Sequence, residues 1–551
     1  MAPAATSKKS AGAASSSSLA KSIRSLSFKA RFRFSYGYNN DIYEYITKYR
    51  TAWEKSLFYI DEKHTLDQIK QEVIVPKELI SVNIKQLHIP DAKFKGIDKN
   101  QIQNTFQSDL VLSLKKGSTN KLHTLKISQP FSLDSVSRKG YLLNTGGHIT
   151  STKWLYRKLD ESIKEHYLAV SIIYGHDGIE NTINNEELSL FPTLSDQKNI
   201  KSGIQIWKYN LQDNKLEMIK FYITTDIGAT NNLNWLPINI EGDKKSLGVL
   251  VGSFTDGKVH LIKVTTNGPQ FAELIKPSFS YSIPVSSGID IVSVTTFDFI
   301  GHDKILVGLS DGCIAEFILP YYKLESQFDE NDVLVPSFIS KVASSAISSL
   351  VTAEPEPDHY VIVINSLGIQ SLAFEYSNSI QGLILPLSAK SSITPTYNPA
   401  LQTLIGTPNQ DTLGFNFIRS PHEGSNLLIK LDSFITSTKT SERLGHPLTL
   451  TGTSGGDLFV VNHSRKFLNG GKPNNKMMKI LKLWKLRLKE SLELSADYEL
   501  IPSEEPSQFP VEPAQTVISS ISWNENATGS SLYSAGTLSG LLIVERLDPE
   551  A

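Results

Sequence analysis

The sequence predicts an all-β fold, a seven-bladed β-propeller, and three observations predict it. The first is a hairpin cassette. Leu247–Val251 runs into a turn at Thr255-Asp256-Gly257, and Lys258–Val264 returns from it. Asp-Gly between two apolar β-branched runs signals a tight hairpin, because the turn needs positive φ and Gly supplies it without steric cost. The second is recurrence. Comparable hairpins lie at Ile305–Leu319, Val361–Phe374, Leu404–Phe417, Leu448–Val461 and Tyr533–Val544, and an interrupted one joins Tyr167–Ile173 to Gly203–Tyr209. The third is their period of about 40 to 55 residues, the length of a four-stranded blade. One such hairpin cannot bury both faces, so the repeats must stack into a closed ring.

The 551 residues suffice for that ring plus an accessory region. Three domains are expected: a disordered basic Ser/Ala-rich arm over 1–38, an accessory helical and extended segment over 39–121, and the propeller over 122–551. Residues 122–131, where His123-Thr-Leu-Lys-Ile-Ser alternates, are expected to close the ring by adding a strand to the last blade. Closure would remove an exposed sheet edge.

The arm contains no acidic residue and too few apolar ones to offset chain entropy. Its end, Phe28-Lys-Ala-Arg-Phe-Arg-Phe, interleaves cations with aromatics, which suits phosphate neutralisation and base stacking. Lys8, Lys9, Lys29, Arg31 and Arg33 are therefore the candidate nucleic-acid contacts. A solvated tail without a ligand and a mitochondrial presequence remain open for the same composition. Ile42, Tyr45, Ile46, Tyr49 and Trp53 recur at helical spacing, so a helix there packs either on its own propeller or on a partner.

Within the ring, blade one begins near Gly146-Gly-His and is interrupted by an acidic insertion over 174–201. Later blades are expected over about 279–322, 336–376, 382–419 and 428–468, each span a reading of the repeat. Pro395 and Pro399 predict that the 382–419 blade is irregular. A basic stretch follows, holding Lys479, Lys482, Lys485 and Arg487 among apolar residues; from Lys485 it alternates strictly, as on a half-buried outer strand with a cationic outward face, while the earlier part fits a helix equally well. These four are the candidate partner-binding cations. A Pro- and Glu-rich tether over 496–514 precedes the last blade.

No chemistry emerges. Gly452-Thr-Ser-Gly-Gly fits G-x-S-x-G, but a strand follows it where a nucleophile elbow needs a helix. Gly470-Gly-Lys lacks the rest of a phosphate loop. With Cys313 the single cysteine, neither an intrachain disulfide nor a zinc site is available, and a reducing compartment fits. His176-Asp177 falls in the insertion and reads as solvated. Thus no enzyme activity, cofactor or small-molecule substrate is expected. No apolar run approaches the ~18 residues of a membrane span, so no membrane partner is expected either.

The Gly146-Gly-His opening, Tyr167-Leu-Ala-Val, Gly203-Ile-Gln-Ile-Trp, Leu233-Asn-Trp-Leu-Pro and Leu247–Gly257 together resemble the WD40-type propeller subunit in the τB lobe of TFIIIC, the general factor for RNA polymerase III genes. The likeness is clearest over 146–264. Leu236 stands where that family has Cys. Lys208 follows Trp207 in place of Asp, so the usual buried His-Ser-Asp-Trp network is not expected in that WD40-like blade. The resemblance implies a nuclear, non-enzymatic scaffold. Its implied partners are a second propeller subunit and a large winged-helix subunit, with DNA contacted through the complex at the B box of tRNA genes. The alternative is an interaction hub of another intracellular assembly, for ribosome biogenesis or a coat, without DNA contact.

Overall fold

The computed structural model describes residue 33 and residues 40–547 apart from gaps, the longer ones being 71–78, 176–199, 284–291, 320–335, 377–384, 419–425, 465–479 and 503–511. The arm up to Phe32, residues 176–199 of the acidic insertion and residues 503–511 of the tether lie outside the described residues.

Each of the seven expected hairpins forms as an antiparallel pair. They are the middle strands of sheets arranged as a propeller. The innermost strands are His148–Trp154, Thr230–Trp235, Val294–Ile300, Ile347–Glu356, Thr396–Asn398, Ile435–Thr440 and Ile518–Trp523, and we number the sheets one to seven in that order. Each inner strand packs on the next, and the seventh packs on the first.

The cassette glycines explain how the sheets meet. A Cβ on Gly308 would lie 2.7 Å from Ile347 of the next sheet, one on Gly452 2.5 Å from Ile518, and one on Gly536 2.5 Å from Ile149 across the ring closure. An isoleucine of the following sheet occupies that space in each case, so only glycine lets the wedge seat. The turns need glycine for a second reason: Gly257, Gly312, Gly456 and Gly540 have φ of 78°, 85°, 79° and 82°.

The sheets are not uniform. Two to five have four strands each, whereas sheet one has six, sheet six has eight, of which seven lie on its main path, and sheet seven has five. The expected boundaries are also shifted by one strand. Phe279–Tyr281, Phe338–Lys341, Leu385–Pro386 and Asn426–Lys430 are outer strands of the preceding sheets, not the first strands of new ones. An outer strand and the next inner strand are both short, apolar and bounded by loops, so composition alone does not divide them. Sheet five is irregular as anticipated: its inner strand spans only Thr396–Asn398, between Pro395 and Pro399.

The accessory segment is woven into the ring. Lys93–Gly96 extends sheet one and Ile80–Asn83 pairs with Ile238–Glu241. Strand β1 (Asp109–Lys116) joins sheet six parallel to Leu492–Ser495, and β2 (Thr119–Lys126) follows as its edge. The closing strand is β3 (Gly140–Asn144), which pairs with Leu541–Glu545. It lies beyond the expected 122–131: the alternating residues there form part of β2 instead, and the segment pairs with β3 of sheet seven through Phe131-Ser132 and a single bridge at Ile127.

Arg138, just before β3, fastens the closure. Its guanidinium is 2.5 and 2.7 Å from the two Glu545 oxygens and donates to the carbonyls of Leu483 at 2.6 Å and Ala496 at 3.2 Å. It lies 3.6 Å over the Trp484 ring, whose indole donates to Glu545 at 2.9 Å, and Tyr533 also donates to Glu545. Burial opposes the charge on Arg138, but Glu545 raises the guanidinium pKa beyond its usual value. This buried pair with satisfied hydrogen bonds joins sheets six and seven.

Candidate interaction surfaces

Among the expected nucleic-acid contacts, Lys8, Lys9, Lys29 and Arg31 lie outside the described residues, and Arg33 is exposed. The chain then enters helix α1 (Asn40–Ser56). Tyr45, Ile46, Tyr49 and Trp53 form a buried cluster with Ala400 and Leu401 of sheet five, and Asn462 donates to the Trp53 carbonyl at 2.9 Å. The helix therefore docks on its own propeller. A second helix, α2 (Glu62–Lys70), is held to sheet seven: Ser531 donates to Glu62 at 2.5 Å and Arg546 approaches the same carboxylate at 3.5 Å. Asp41 and Tyr45 of α1 reach the lining of the central channel.

The channel encloses about 940 Å³ between the inner strands. Two tryptophans brace it. Trp235 donates to the Lys153 carbonyl at 3.1 Å and Trp523 to the Lys439 carbonyl at 3.0 Å, each reaching back to the preceding inner strand. This places the lysines on the wall. Lys153 lies 3.7 Å from Glu442, which also binds Lys439. Burial would raise the Glu442 carboxyl, but Lys439 and Lys153 hold it down at about 2. Burial pushes the Asp298 carboxyl up to about 6, against hydrogen bonds from Thr352 and Phe299. Glu525 is occupied by Ser441 at 2.7 Å and by the backbone N–H groups of Glu442, Arg443 and Leu444. Among the described residues the wall is a set of largely mutually neutralising charges.

In the basic stretch, two of the four candidate partner-binding cations are engaged by acids of the chain itself. Lys479 lies outside the described residues. Lys482 is 8 % exposed and 3.5 Å from Asp457 and 3.4 Å from Glu499. Arg487 is 3.0 Å from the same Asp457 and donates to the Gly455 carbonyl. Two of the four cations thus neutralise Asp457, itself buried beneath the hairpin tip. Lys485 is half-buried opposite Asp457. The strand Ile480–Leu488 lies inside an enlarged sheet and not on its rim, because Leu492–Ser495, β1 and β2 cover its outer side. Alternation in the sequence shows a strand with one polar face, but it cannot show an acid arriving from elsewhere.

Ser454 of the G-x-S-x-G match sits in the turn between paired strands, its hydroxyl 3.0 Å from Ser433. No group of three His, Cys, Asp or Glu residues suited to a metal occurs among the described residues. No described helix is long and apolar enough to cross a membrane. Trp207, lacking its Asp neighbour, donates to Gln205 at 3.0 Å, and Gln205 donates to the Thr145 carbonyl at 2.6 Å. Gln205 thus replaces the missing network, a role not read from the sequence although its place two residues before Trp207 on the same strand face carried the signal.

No family model matches the chain. Compared with curated proteins, it is 26 % identical over 434 residues to the transcription factor tau 91 kDa subunit of Saccharomyces cerevisiae. The chain resembles a transcription factor tau subunit. The likeness covers 74 % of this chain and 58 % of that protein, so the chain spans a little over half the relative's length. It extends well past the 146–264 region where the resemblance is clearest in the residues themselves.

Proposed function

We propose that the chain is a non-catalytic scaffold subunit of a nuclear, TFIIIC-like transcription factor, helping the B-box-binding lobe assemble on RNA polymerase III promoters such as tRNA genes. The similarity over 434 residues to a transcription factor tau subunit carries the reading. The propeller arrangement and the self-neutralised channel wall are in keeping with it. A rigid disc with loops on two faces suits the holding of several macromolecules. The second propeller and the winged-helix subunit named by the family resemblance are the proposed partners. DNA is reached through the complex, with Lys8, Lys9, Lys29, Arg31 and Arg33 as backbone contacts that neutralise phosphates without reading bases.

The arm can be tested in the reconstituted assembly by measuring DNA affinity against salt with and without residues 1–38. Deletion should weaken binding and flatten the log–log salt slope by roughly 0.9 for each phosphate that the arm no longer neutralises. An unchanged affinity and slope would remove the arm from the DNA interface while leaving the scaffold role to be judged by assembly.

A further inference from the structure

We propose that β2, the outer edge of sheet six, is a docking edge for an extended acidic segment of a partner protein, which adds to the sheet as a further strand. This goes beyond the proposed function, since it requires neither DNA nor any particular complex.

The β1–β2 hairpin carries sheet six beyond the four strands at which sheets two to five stop. Gly117, with φ of 58°, opens its two-residue turn between the paired Lys116 and Thr119. Positive φ at the first turn residue matches the twist of a hairpin. Leu110, Leu112 and Leu114 face the core. The opposite face is different. Val111 pairs with Thr124 and Ser113 with Leu122, so Val111 and Leu122 are diagonal neighbours on the outward face. They are 43 % and 68 % exposed. Leu122 is the most exposed large apolar side chain among the described residues.

Beyond β2 no strand lies among the described residues. Among the described residues it pairs with β1 alone; contact with the neighbouring sheet is made by the His123 ring, 4.5 Å from that of Phe131, and at its end, where Asn144 donates to the Leu125 carbonyl at 3.2 Å and Ile127 bridges to Asn144. The outward backbone groups of Thr119–Thr124 have no backbone partner among the described residues. An unpaired edge is a template for another strand.

Charge selects the occupant. The hairpin holds Lys115, Lys116, Lys121 and Lys126 against one acid, Asp109. Lys116 is 3.8 Å from Asp497, whereas Lys115, Lys121 and Lys126 have no ion pair among the described residues. Lysines on an edge deter pairing with a second copy of the same cationic strand, which accounts for their presence but not for Leu122 and Val111. An extended segment alternating Asp or Glu with apolar residues fits both faces: its apolar side chains continue the patch of Leu122 and Val111, and its carboxylates meet Lys121 on the opposite face, while Lys115 and Lys126 flank the apolar patch and add to the positive field. Main-chain hydrogen bonds would supply affinity and the alternate side chains specificity.

Hydrogen exchange on the full chain tests this, with a synthetic peptide alternating Glu and Val as probe. Saturating peptide should slow exchange in Thr119–Thr124 by at least about tenfold, the mark of newly paired amides. A Lys–Val peptide should not, and neither should the Glu–Val peptide broken by a central proline. Leu122→Asp should abolish the protection while leaving the melting temperature unchanged, and Val111→Asp should weaken it. No slowing at Thr119–Thr124 overturns the proposal. So does equal slowing by the Lys–Val or proline-broken peptide, or protection confined to the other cationic edge at Lys93–Gly96.

Discussion

Two clusters of opposite charge tie this ring together, and they differ in their access to water. The clasp of Arg138, Glu545, Trp484 and Tyr533 lies between sheets six and seven, with both charged side chains 1 % exposed. The cluster of Lys153, Lys439 and Glu442 lines the channel, with side-chain exposures of 20 %, 20 % and 35 %. Similar residue types meet in both, yet the first is a closed network in which each hydrogen-bonding group has a partner, and the second is a solvated truce. The difference teaches that the cost of breaking an ion pair follows the burial of the survivor more than the strength of the attraction.

The comparison is broken most forcefully at the clasp. Glu545→Gln leaves Arg138 charged in a dry site and should cost about 3–5 kcal/mol in unfolding free energy, read from denaturant titration. A loss below about 1 kcal/mol would mean that water enters the seam. The neighbouring seam offers the next effect. Gly536→Val drives a branched side chain against Ile149 and should cost about 1–3 kcal/mol. Gly117→Val, at the open hairpin turn, should cost less by the same assay, because only its φ is strained and no atom lies within 4 Å of the added carbon.

Acid sharpens the contrast. Burial pulls His166, His446 and His463 down to about 3. A histidine whose folded pKa is depressed contributes stability that is complete above its unfolded value near 6.5 and lost as pH falls toward 3. Each should add roughly 1.4 kcal/mol per pH unit of destabilisation well inside that window. His446→Gln should flatten the stability–pH curve there, as measured by urea unfolding at successive pH values.

The smallest effect is expected on the channel wall. Glu442→Gln should cost less than about 1 kcal/mol at neutral pH, since water screens the lysines it leaves behind. With the Glu442 carboxyl held at about 2, its contribution is present above the ordinary glutamate value and lost as pH falls toward 2. The variant should therefore converge with the parent protein at low pH. A neutral-pH loss as large as that at Glu545 would abolish the distinction between the clusters.

What could be read from the residues follows the same line between local and distant causes. The seven hairpins and their Gly turns were legible because turn chemistry and alternation act within a dozen residues. The irregular sheet around Pro395 and Pro399 was legible for the same reason. The helix at Ile42–Trp53 showed its spacing but not its berth on Ala400 and Leu401, which are distant in sequence. The closing strand was misplaced because β2 alternates while β3, Gly-Tyr-Leu-Leu-Asn, does not, and only the pairing with Leu541–Glu545 reveals its place. Lys482 and Arg487 looked available because Asp457, which takes them, belongs to another strand. Blade boundaries slipped by one strand since a repeat has no intrinsic beginning.

The most direct test of the central claim is purification of the tagged full-length chain from native nuclear extract, with quantitative identification of stoichiometric partners. The account predicts a second propeller protein and a large winged-helix protein, recovered together with tRNA-gene DNA in salt-sensitive fashion. Stoichiometric recovery of ribosome-assembly or coat proteins, with no such subunits and no DNA, would contradict it.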